Sequence, residues 1–130
     1  MAQYSSSYTG AQIDTSAAEA AFNNSIATGT TVTSIASSSR FNIITVSDAT
    51  AQTLSFSSAL AAGREIVIII KANGVKASIS IPHDGSTWFN TVDAEGKTME
   101  VASGKLGEIN VINTGTTSSP IYYVRYVGAS

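Results

Sequence analysis

The chain has 130 residues, a net charge of −2 and only 12% charged residues, with none of its seven Lys and Arg before Arg40. That length supports one domain with a modest core and leaves no room for a second. The scattered cations make no basic patch for nucleic acid, and the lack of Cys excludes disulfides and thiolate metal sites. Twenty Ser and 15 Thr point to a surface covered by hydroxyls in place of charges. Hydrophobic residues make up 43% and fall in strand-length runs, as in a chain that folds by burial.

Met1-Ala2-Gln3-Tyr4-Ser5 lacks the basic region and apolar stretch of a signal peptide, so none is expected. Residues 1–8 read as a polar arm carrying Tyr4 and Tyr8, either a frayed terminus or a docking peptide. A helix follows, over residues 8–26. Thr9-Gly10-Ala11-Gln12 fits a capping box, and Tyr8 and Ile13 sit at its staple positions. A helix of roughly 15 residues is marginal alone in water, so its apolar residues Ile13, Ala17, Ala20, Ala21 and Ile26 need a partner surface. Residues 28–39, rich in Ser and Thr, read as a connector able to separate an anchor from a head, and extended they span roughly 40 Å. Val32 and Ile35 allow a second reading, a short strand packed along the domain. The expected division is therefore an arm, helix and connector over 1–40 and a head over 41–130.

From Phe41 on, strands are expected at 41–46, 52–56, 64–71, 75–81, 88–92, 97–102, 108–112 and 121–127, separated by turns such as Asn73-Gly74, Asp84-Gly85 and Ser103-Gly104. Short strands at this spacing predict a mostly β fold, an antiparallel, jelly-roll-like β-sandwich with a short N-terminal α-helix. Asn73-Gly74 is the preferred pair for a type I′ hairpin turn, which would set Ile70 opposite Ala77, Ile68 opposite Ile79 and Ile66 opposite Ile81. That face is the expected core. Val67 and Ile69 on the other face give one strand apolar on both sides, which calls for a cover from the helix or a neighbouring subunit. The run from Ile66 to Ile70 is far too short to span a bilayer.

Chemistry is sparse. Pro82-His83-Asp84-Gly85-Ser86 gathers an imidazole, a carboxylate and a hydroxyl, but neighbours on one turn do not make a relay, and a solvent-facing turn is expected. Asp93 and Glu95 supply two oxygens where calcium needs six to eight, so a solvated turn is expected there. No phosphate-cradling glycine motif is present. No catalytic residue, metal site or cofactor is expected. Trp88, Phe89 and Tyr122 are candidate glycan contacts, since exposed aromatic rings can stack on sugars, although core and subunit contact also accounts for them.

The run Tyr8-Thr9-Gly10-Ala11-Gln12-Ile13-Asp14, followed by an alanine-rich helix, resembles fibre and head-decoration proteins of tailed bacteriophages, especially phages of gut Bacteroidetes. The charge-poor, Ser/Thr-rich β region with its aromatic last strand loosely resembles a fibre knob over residues 41–130. The chain lacks the shaft of a complete tail fibre, so the resemblance implies a short head fibre or capsid decoration protein. Implied with it are a homotrimer, attachment to a capsid protein through the N-terminal segment, and a place on the virion surface after synthesis in the host cytoplasm. The expected function is that of a non-enzymatic virion structural protein, and the alternative is a carbohydrate-binding β-sandwich adhesion module for host or mucus glycans. Residues expected in attachment or oligomerisation are Tyr4, Tyr8, Ile13, Ala17, Ala20, Ala21, Ile26, Val67 and Ile69.

Overall fold

The computed structural model describes residues 10–90 and 98–130, with the side chains of its helix described from Ser16 on. Helix α1 spans Gly10–Asn23. It stops short of Ile26 because polar side chains take up its last carbonyls: Asn24 Nδ2 donates to Ala20 O at 2.8 Å and Ser25 Oγ to Phe22 O at 2.6 Å. Ile26, expected in the helix, instead opens strand β1, Ile26–Gly29.

The chain is mostly β. Strands β2 (Phe41–Val46), β3 (Gln52–Thr53), β4 (Glu65–Ala72), β5 (Ala77–Ser80), β6 (Trp88–Asn90), β7 (Thr98–Val101), β8 (Leu106–Asn113) and β9 (Tyr122–Val127) follow. They make a six-stranded sheet in the order β1-β2-β4-β8-β9-β6 and a three-stranded sheet in the order β3-β5-β7. Both sheets are mixed, which departs from the antiparallel expectation. β1 with β2, β2 with β4, β6 with β9 and β3 with β5 run parallel. The cause is that the chain passes repeatedly between the sheets. It leaves β2 for β3 on the small sheet and returns to β4 beside β2 in the same direction, a long excursion of the kind a parallel pair requires.

The expected hairpin at Asn73-Gly74 does not form. A type I′ turn needs positive φ at both central residues, and here only Gly74 has it, at 74°. Ala72 is held by the large sheet, its amide donating to Lys105 O at 3.1 Å and its carbonyl accepting from Gly104 N at 2.8 Å. The chain then crosses to the small sheet, where β5 pairs with β3 and β7. Ile66, Ile68 and Ile70 and their expected partners Ala77, Ile79 and Ile81 are all buried in one cluster, but the first three lie on β4 of the large sheet, Ala77 and Ile79 lie on β5 of the small one and Ile81 just follows β5, so they are not neighbours in one ladder.

Val32 and Ile35 are buried in that core, and Ile35 bridges Phe56. β1 pairs with β2, and Ser37 is buried as well, so strand pairing and core contacts begin before Phe41. Among the described residues, Asn42 and Asn113 are the buried side-chain amides, and both are satisfied. Asn42 binds the backbone of Ala36 and Ser39. Asn113 donates to Leu60 O and Thr116 O and accepts from the amides of Gly115 and Ile121. Beyond β9 the tail joins the small sheet, with Ala102 N donating to Ala129 O at 2.7 Å and Ala129 N to Glu100 O at 3.1 Å.

Candidate functional site

The outer face of the large sheet follows from strand alternation. β9 buries Tyr122 and Val124 and exposes Tyr123, Arg125 and Val127. Register then sets Tyr123 beside Phe89 of β6 and Ile112 of β8, with Glu65 of β4 beyond Ile112. The next row carries Phe41, Val67, Asn110 and Arg125. A groove of about 390 Å³ opens where these rows meet the loop before β6, lined by Glu65, His83, Phe89, Asn90, Asn110, Ile112, Tyr123, Val124 and Arg125. The rings of Phe89 and Tyr123 stack with centroids 5.3 Å apart and planes 14° from parallel, and His83 meets Phe89 edge-on at 6.1 Å.

The loop that brings His83 to the groove is braced from inside. Asp84 Oδ1 accepts from the amides of Ser86 (2.8 Å), Thr87 (2.8 Å) and Trp88 (2.9 Å) and from Ser86 Oγ at 3.2 Å. His83 does not face solvent as expected. It is half-buried, and its Nδ1 accepts from Asn90 N at 3.2 Å. Asn90 Nδ2 donates to the carbonyls of Ile81 and Pro82, closing the loop on itself.

The amide of Trp88, and after it that of Ser86, hold the Asp84 carboxyl at about 2, below its ordinary 3.8. A depressed carboxyl stabilises the fold fully above its unfolded value and loses that contribution as pH falls through the folded one. The fluorescence of Trp88, the sole tryptophan, is therefore expected to stay level down to about pH 4 and to change between there and about pH 2. Asp84→Ala should show the acid-form signal already at neutral pH. A variant that keeps the neutral wild-type spectrum would show that the loop does not depend on this carboxylate.

The predicted site residues fall in several places. Tyr4 and Tyr8 lie outside the described residues, as do Asp93, Glu95 and the side chain of Ile13. Ala17, Ala20 and Ala21 are exposed on α1, and Ile26 is 67% exposed at the start of β1. α1 is tied to the head at Arg64, whose Nη2 lies 2.9 Å from Glu19 Oε1 and whose guanidinium covers the Phe22 ring at 4.2 Å. Phe22, which the sequence reading passed over, is the helix residue that enters the core.

Val67 and Ile69 are half-buried on the outer face, between Phe41 and Asn110 and between Ile43 and Glu108. Of the three candidate glycan contacts only Phe89 reaches the groove. Tyr122 is buried with its hydroxyl accepting from Leu60 N at 3.1 Å, and Trp88 packs on the core against Phe56 and Tyr122. Adjacent residues on a strand point to opposite faces, so Trp88 and Phe89 could not share one platform. The same alternation pairs Phe89 with Tyr123, the residue that was missed.

Among the described residues, no cluster of three His, Asp or Glu side chains could hold a metal ion, and no helix is long and apolar enough to cross a membrane. No family model matches the chain, and no curated protein or solved structure matches it.

Proposed function

We propose that this protein is a non-enzymatic structural component of a tailed-phage particle, a short head fibre or capsid decoration protein. Its N-terminal segment attaches to a capsid protein, and a sandwich-like β head projects from the virion surface. The observation that carries this reading is the helix. The motif over residues 8–14 leads into a 14-residue α1 whose side chains from Ser16 to Ala21 are all exposed, with Glu19 and Phe22 tying its end to the head at Arg64. So short a helix, with its alanines unpacked, calls for a partner in a capsid groove or in further copies of the chain, and a trimer would supply the second. The loop over 83–86 supports the non-enzymatic part of the reading. Asp84 and Ser86 bind one another and their own backbone, and His83 is engaged by Asn90, so none of them orients another for proton transfer.

The test is deletion of residues 1–20, which leaves Phe22 and β1 in place. The truncated chain is expected to keep its β circular dichroism, because the surface pair Glu19–Arg64 contributes only about 0–1 kcal/mol. It is also expected to run as a monomer and to be lost from particles that lack the native protein. If the truncated form still decorates those particles, attachment lies in the β head and this reading fails.

A further inference from the structure

We infer that the groove between the 82–90 loop and strands β8 and β9 is a saccharide-binding site. The inference stands on the groove alone, whatever the chain is mounted on.

One wall is apolar and fixed. Phe89 and Tyr123 are register neighbours, stacked 5.3 Å apart, and Ile112 continues the row. Around that wall lie polar groups of both kinds. His83 Nδ1 accepts from the Asn90 amide, so the proton of the neutral ring is on Nε2, which is a donor. Arg125 supplies further donors. Glu65 offers a carboxylate, and Asn110, whose Nδ2 reaches Glu108 at 3.4 Å, keeps its amide oxygen as an acceptor. Among the described residues neither Arg125 nor Glu65 is in an ion pair.

Complementarity narrows the ligand. A purely apolar molecule would strip water from Arg125 and Glu65 and return nothing to them. A simple anion would meet Glu65, and a simple cation Arg125. A pyranose ring answers the whole set, with a C–H face for the aromatic wall and hydroxyls that each donate and accept for the rim. The cavity, about 390 Å³, lies within the roughly 300–1,000 Å³ of small-ligand sites. Its walls are preorganised by the Asp84-braced loop and by sheet register, so little ordering opposes binding.

The test is an amide-shift titration of the isotope-labelled full chain with methyl glucoside, methyl galactoside, methyl mannoside and N-acetylglucosamine, each taken to tens of millimolar. At least one sugar is expected to shift the amides of Phe89, Asn90, Tyr123 and Arg125 and to saturate. Tyr123→Ala and Arg125→Ala, both at exposed positions, are each expected to weaken that binding about tenfold or more while the rest of the spectrum stays folded. Leu106→Ala, exposed on β8 away from the groove, should leave it unchanged. The inference is overturned if no sugar moves these amides, or if the shifts persist at full strength in Tyr123→Ala. Movement of the same amides on dilution of the protein alone would overturn it in favour of a second copy of the chain in the groove.

Discussion

Replacing Asn113 by alanine is expected to lower stability by about 3–4 kcal/mol, a large share of what a domain of this size holds. The residue is fully buried. Its Nδ2 donates to Leu60 O at 2.7 Å and Thr116 O at 3.1 Å, and its Oδ1 accepts from Gly115 N at 2.9 Å and Ile121 N at 3.0 Å. Alanine would leave four backbone groups without partners, at least one of them deep beside buried Leu60. The same side chain holds the whole β8–β9 connection in shape and pins it to the segment before β4. A melting temperature lower by roughly 10 °C or more is expected. Asn113→Asp keeps both acceptor contacts but sets an oxygen against two carbonyls, so it should also destabilise. A shift within about 2 °C for alanine would show that water replaces the amide and that the network holds nothing.

The second large effect is expected at Gly128. A Cβ there would lie 2.3 Å from the carbonyl oxygen of Glu100 and 3.3 Å from its carbon, and backbone atoms cannot swing aside as a side chain can. Gly128→Val must therefore lift the tail from β7 and break the bonds between Ala102 N and Ala129 O and between Ala129 N and Glu100 O. A loss of about 2–3 kcal/mol is expected from the forced shift and the broken bonds together. Amide exchange at Ala102 and Ala129 should quicken more than exchange at Ile68 in the large sheet. A variant that melts with the wild type and still protects Ala102 would show that the tail moves aside at no cost.

Strand positions were legible in the sequence because period-two alternation and Gly, Asn and Asp turns are local signals. Residues 41–46 match β2 at both ends. Partners were not legible. Ile66, Ile68, Ile70 and Ala77, Ile79, Ile81 were rightly expected inside, yet an apolar face looks the same whether its neighbour is in the next strand or across the core. Asn73-Gly74 favoured a hairpin locally, and the long-range bonds of Ala72 to residues 104 and 105 override it.

The groove was missed for a related reason. Its residues come from β4, β6, β8, β9 and a loop, and only sheet order brings Glu65 and Phe89 within reach of one cavity. Phe22 escaped notice because the helix reads as alanine-rich, and its contact with Arg64 spans a distance in sequence that no periodicity reports.

The strand order also fixes when the fold can close during synthesis. Among the described residues, β6 pairs only with β9 and β9 joins the rest of the large sheet only through β8, so Trp88–Asn90 has no described strand partner until Tyr122–Val127 has left the ribosome. β4, the most apolar strand, can find β2 early but must wait for β8 on its other edge. A nascent chain therefore carries an open, sticky isoleucine edge from the completion of β4 until β8 has emerged, and pairings so distant in sequence form slowly. Yield from a host is expected to be set by how well that edge is shielded in those seconds, so a slower ribosome or a missing chaperone should cost more protein than a modest loss of final stability does.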